Sequence, residues 1–172
     1  MKKVFEYIYD KIKAMRMEET NLCRLYSIKL EKLKANYTDA AAMEMLRDNI
    51  EWMVTMNIIN GEELRSLSLD FEFAKHDFYF EGNVLVKDAK AVLFGTANAK
   101  ISGHSLVKMF EDSKCDADDS GFIIAFDNAN VTAKNCKVVA FGNSTVTSRG
   151  LCLIENYDKT VTVNSTHRDF VY

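Results

Sequence analysis

The side chains able to act as nucleophiles, proton carriers or soft-metal ligands are few and scattered. His76, His104 and His167 stand far apart, with no spacing that matches a metal-ligand set. His104-Ser105 would form a hydrolytic cluster if an aspartate from a neighbouring segment joined it, yet no G-x-S-x-G turn surrounds a serine. Phosphate-binding glycine loops and the H-E-x-x-H pattern are both missing. Cys23, Cys115, Cys136 and Cys152 include no C-x-x-C pair and read as free thiols, which points to a reducing cytoplasm. These residues call for no cofactor and supply no catalytic constellation.

One acidic stretch has a more specific look. Asp116-Ala117-Asp118-Asp119-Ser120-Gly121, continued to Asp127, resembles the calcium loop of EF-hand proteins. The resemblance implies Asp116, Asp118, Ser120 and Asp127 as oxygen ligands, with Gly121 at the sharp turn. Two departures oppose it. The family places a longer glutamate where this chain has Asp127, and NANVTAKN reads as strand and turn rather than as an outgoing helix. The expectation is an acidic corner without a metal.

The elements that carry these residues follow from a repeat. Aromatic anchors recur at Phe80, Phe94, Phe110, Phe126, Phe141 and Tyr157, mostly 15–16 residues apart. Each is followed by a small or polar turn such as Asp127-Asn128 or Gly142-Asn143, then by a second short alternating run. A period of that length marks a solenoid. The pattern predicts a parallel β-solenoid of about six 15–16-residue coils over residues 68–172, with like residues stacked and a column of phenylalanine rings inside. Cys115 then takes the place of Val131 and Val146 as a small core residue. Val107 and Met109, Ile123 and Ala125, and Val138 and Ala140 fall on the opposite phase and are also apolar. Strands apolar on both faces need cover on both, supplied by the helical segment or by a second copy of the chain.

Residues 1–67 predict a helical hairpin or three-helix bundle, giving an α+β chain overall. Val4, Phe5, Ile8, Ile12 and Met15 share one stripe in residues 2–16, and Leu22, Tyr26, Leu30 and Leu33 share another in 18–36. Thr38 or Asp39 caps a third helix carrying Met43, Leu46, Ile50, Met53 and Val54. Asn60-Gly61 closes it, and Glu62-Glu63 opens a short turn through Leu67. Alternation in SLSLDFEF predicts a lead-in strand with Leu69, Phe71 and Phe73 on one side. The terminal STHRDFVY is expected to cap the solenoid.

Composition sets the bounds. The 172 residues are 48% hydrophobic and 27% charged, with a formal net charge of −3. No basic footprint for nucleic acid and no apolar membrane span is present. The acid excess lies in residues 68–172, which favours basic partner surfaces. The A-F-D-N-A-N-V-T-A and A-F-G-N-S-T-V-T-S units resemble those of short-coil β-helix proteins such as bactofilins, and of repeat segments in phage and mobile-element proteins. That resemblance implies a parallel β-solenoid and, for bactofilins, end-to-end self-association. The expected role is a non-enzymatic interaction module for a protein partner, of the phage accessory or inhibitor kind, in a homo-oligomer. The alternatives are a self-assembling structural module and an enzyme with its site between coils.

Overall fold

The computed structural model describes residues 1–15, 24–165 and 170–171, with residues 24, 25, 170 and 171 described as backbone only. It divides into two compact units, Met1–His76 and Asp77–Tyr172.

The first unit is helical: α1 (Lys2–Ala14), α2 (Arg24–Ala35), α3 (Asp39–Thr55), α4 (Gly61–Leu67) and α5 (Asp70–Ala74). The stripe expected for α1 is buried at Val4, Phe5, Ile8 and Ile12, and that for α3 at Met43, Leu46, Ile50 and Met53. In α2, Leu30 is buried, while Leu22 lies outside the described residues. Thr38 is the N-cap of α3, its side chain accepting the Ala41 N–H at 3.2 Å. Glu63 ties α4 to α1 through Lys11 at 2.6 Å and Tyr7 at 3.0 Å. The Lys11 ammonium holds the Glu63 carboxyl below its ordinary range.

Two local expectations are corrected. Asn60 does not close α3, which ends at Met56 with Asn57 in the left-handed region (φ 53°). Instead Asn60 opens α4 in a capping box, accepting the Glu63 N–H at 2.8 Å while Glu63 accepts the Asn60 N–H at 3.2 Å. The lead-in strand is α5. Its apolar residues do not share a side, since Phe73 is buried and Leu69 and Phe71 are exposed. Acidic Asp70 and Glu72 in the first turn favour the helix, and Arg65 holds Asp70 at 2.7 Å.

The second unit is a parallel β-solenoid with two walls. The seven-stranded wall, sheet A, comprises β1 (Phe78–Tyr79), β3 (Lys90–Leu93), β5 (Leu106–Met109), β7 (Phe122–Ala125), β9 (Lys137–Ala140), β11 (Leu153–Asn156) and β13 (Phe170–Val171). The six-stranded wall, sheet B, comprises β2 (Asn83–Lys87), β4 (Asn98–Ser102), β6 (Lys114–Asp118), β8 (Asn130–Lys134), β10 (Thr145–Ser148) and β12 (Thr162–Ser165). Odd and even strands alternate along the chain, so each coil lays one strand on each wall. Only the backbone of Phe170 and Val171 is described from the expected cap: β13 pairs with β11 and extends sheet A.

Left-handed residues make the corners, as the turn chemistry requires. After sheet A they are Gly95 (φ 56°), Glu111 (φ 59°), Asp127 (φ 55°) and Gly142 (φ 64°). After sheet B they include Asp88, Gly103, Asp119, Ser120 and Asn135. Aspartate, asparagine and glycine tolerate this conformation best, which is why the repeat carries them there.

The interior is not where the aromatic pattern placed it. Stacked columns of Ala91, Val107, Ile123, Val138 and Ile154, and of Leu93, Met109, Ala125 and Ala140, face sheet B. Sheet B answers with Ala99, Cys115, Val131 and Val146, and with Val86, Ile101, Ala117 and Ala133. None of the phenylalanines whose side chains are described belongs to this cluster. Two walls standing about 10 Å apart leave room for alanine, valine, cysteine and isoleucine, not for a ring in every coil. Both phases of sheet A are apolar, and the one without the rings turns inward.

A polar flaw lies within this core. The corner column Ala97, Ser113, Ala129, Ser144 alternates alanine with serine, and both serine hydroxyls are buried with no partner among the described residues. Alanine already fits this column in two coils. Ser113→Ala and Ser144→Ala are therefore each expected to raise stability by about 1 kcal/mol, read from urea unfolding of the full chain.

Candidate binding faces of the solenoid

The residues singled out for chemistry do not come together. Ser105 is buried; its hydroxyl donates to the Ser102 carbonyl at 2.8 Å and accepts the Ala89 N–H at 3.4 Å. A neighbouring-coil aspartate does stand beside His104, but Asp88 takes the His104 backbone N–H at 3.0 Å rather than the imidazole. The pair is corner architecture, not an activated serine. His76 lies in the helical unit, and His167 lies outside the described residues.

The acidic loop is likewise spread over the coil. Asp116 and Asp118 are on β6, where Asp116 is exposed and Asp118 meets the Lys134 ammonium at 3.3 Å. Ser120 turns the corner after sheet B, whereas Asp127 turns the corner after sheet A. The Asp127 carboxylate accepts the Glu111 N–H at 3.0 Å. Among the described residues no group of three or more His, Cys, Asp or Glu side chains could hold a metal ion. Burial pushes the Cys115 thiol well above its ordinary range and raises Cys136 as well, so both are core residues with little thiolate character. Cys23 lies outside the described residues.

The sequence reading missed a structural use for these acids. Three carboxylates at the corners after sheet A cap the amide of the left-handed residue one coil earlier: Glu111 takes Gly95 N–H at 2.7 Å, Asp127 takes Glu111, and Asp158 takes Gly142 at 2.7 Å. Left-handed corners expose an amide that the strand ladder cannot use, and a carboxylate sixteen residues later satisfies it. The in-phase spacing of Gly95, Glu111 and Asp127 is the signal that was available.

Two faces remain as candidate binding surfaces. On the outer side of sheet A the anchors form a ladder of parallel rings. Centroid distances are 5.8 Å for Phe80–Phe94, 4.9 Å for Phe94–Phe110, 5.0 Å for Phe110–Phe126, 4.7 Å for Phe126–Phe141 and 5.0 Å for Phe141–Tyr157. The spacing is that of stacked strands, so the backbone sets it. Phe94 and Phe110 are fully buried, Phe126 and Phe141 are half-buried, and Tyr157 is 63% exposed. Beside the ladder run Glu111, Asp112, Asp127 and Asp158, half-buried or exposed. On sheet B, the terminal strand β2 presents Leu85 at 81% exposure.

No protein-family model, curated protein or solved structure matches the chain. No helix of the described residues is long and apolar enough to cross a membrane.

Proposed function

We propose that the protein is a non-enzymatic interaction module whose solenoid holds a rigid aromatic and acidic face against a protein partner. The observation that carries this reading is the end of the ring ladder where half-buried Phe126 and Phe141 lead to exposed Tyr157, bordered by Glu111, Asp112, Asp127 and Asp158. Parallel rings fixed by backbone spacing lose little side-chain entropy on binding, and aromatic residues dominate binding energy at interfaces. The carboxylate row selects a partner surface that sets arginine or lysine beside aliphatic groups. A stiff repeat with this face fits an adaptor or an inhibitor, including one of the phage accessory kind.

A photo-cross-linking side chain at position 157 tests this in the cells that make the protein, with position 132 on sheet B as the control. One protein adduct of discrete mass is expected from 157, and none from 132. Equal labelling from both, or no labelling, overturns the reading. An adduct with a second copy of this chain supports self-assembly instead.

A further inference from the structure

The free edge of β2 is a second site, independent of the ring ladder. In β2 the residues facing β4 are known from their bonds: Asn98 N–H donates to Gly82 O at 2.8 Å, and Asp88 N–H donates to Ser102 O at 3.3 Å. With Asn83 paired to Asn98 and Lys87 to Ser102, residues 82, 84, 86 and 88 turn their backbone groups inward. The N–H and C=O of Asn83, Leu85 and Lys87 therefore point out of the sheet. β2 ends the strand order, and none of these groups has a backbone partner among the described residues.

The side chains around this edge also stop one coil short of completion. Val84 heads the inward column of Ala99, Cys115, Val131 and Val146, yet it is only half-buried because nothing in the sheet stacks beyond it. Asn98 donates its amide to Asn83 Oδ1 at 2.9 Å, which starts a ladder that the Asn83 amide nitrogen leaves without an acceptor. Lys87 occupies the column in which Lys134 pairs with Asp118 one coil away at 3.3 Å, but it has no carboxylate of its own among the described residues. A cavity of about 430 Å³ lies here, lined by Asn83, Val84, Leu85, Asn98 and Lys100.

We infer that β2 binds an extended strand of a partner protein, parallel to it, with the pattern Asn-Val-x-Val-Asp. Its asparagine accepts from Asn83, its two valines continue the columns of Val84 and Val86, and its aspartate pairs with Lys87. Backbone bonds to Asn83, Leu85 and Lys87 supply the affinity, as in other strand additions. A second copy of this chain fits less well. Its β12, Thr162-Val163-Asn164-Ser165, would set Asn164 on Leu85 and the Ser165 hydroxyl on the Val86 column.

The test uses the full chain and the peptide acetyl-Gly-Asn-Val-Thr-Val-Asp-Gly-amide, with a control in which lysine replaces the aspartate. Titration by nuclear magnetic resonance is expected to saturate, with slowed amide exchange at Asn83, Leu85 and Lys87, and with about tenfold weaker binding of the control. Leu85→Pro removes an N–H that faces away from β4, so the melting curve should hold while binding is lost. Lys87→Glu should reverse the preference between the two peptides and does not depend on the proline variant folding. No saturation, equal affinity for both peptides in wild type, or unchanged binding by a folded Leu85→Pro would each overturn the proposal. Head-to-tail polymers of the purified chain would assign the edge to a second copy and overturn the stated partner.

Discussion

Gly95→Ala is expected to destabilise the solenoid by about 3 kcal/mol, whereas Gly82→Ala removes only about 1 kcal/mol. Both glycines are left-handed, with φ 56° and 81°, so both replacements meet the same intrinsic penalty. Their surroundings separate them. A Cβ on Gly82 has nothing within 4 Å, while one on Gly95 falls 2.6 Å from the Phe80 carbonyl oxygen. That oxygen accepts the Thr96 N–H at 3.0 Å, and Gly95 itself donates to Glu111 at 2.7 Å. The backbone must move to admit the methyl group, and two bonds that join neighbouring coils loosen with it. The two units can be followed separately, because Trp52, the sole tryptophan, reports on the helical unit. Urea unfolding by circular dichroism and by tryptophan fluorescence should therefore place the loss in the solenoid. Equal losses for the two variants would show that close approach at the corner contributes nothing.

The second large effect concerns which way a strand faces. Ile123→Asp is expected to prevent the solenoid from folding, while Ile124→Asp lowers stability by a much smaller amount. Ile123 is fully buried between Val107 and Val138, in the column that faces the opposite wall. A carboxylate there finds neither water nor a partner, which costs about 4 kcal/mol or more even after it takes up a proton. Ile124 lies one residue away on the outer side of sheet A, half-buried, with Lys108 as its register neighbour in the preceding coil. Circular dichroism of the two variants gives the ranking. If Ile124→Asp were the worse of the pair, the inner and outer phases would have to be exchanged, and the ring ladder would belong to the core.

The amino-acid order determined the coil. Anchors at Phe94, Phe110 and Phe126, with left-handed-tolerant residues directly after them, can only repeat a strand–turn–strand unit, because aspartate and glycine at the corner force the chain to turn. It determined the helical stripes of α1 and α3 for the same kind of reason, since a period of 3.6 residues admits one buried face. It also placed Cys115 in the valine column.

Tertiary structure decided what local pattern leaves degenerate. In sheet A both alternating phases are apolar, so periodicity cannot say which is inside. The narrow gap between two walls chose the alanine and valine phase over the rings. Asn60 could end one helix or begin the next, and the return contact from Glu63 settled it. Asp127 could serve a cation or a neighbouring amide. Stacking of the coils decided that, by bringing the Glu111 N–H within 3.0 Å of the Asp127 carboxylate. A sequence lists which groups need partners; only the stacked coils bring those partners within reach.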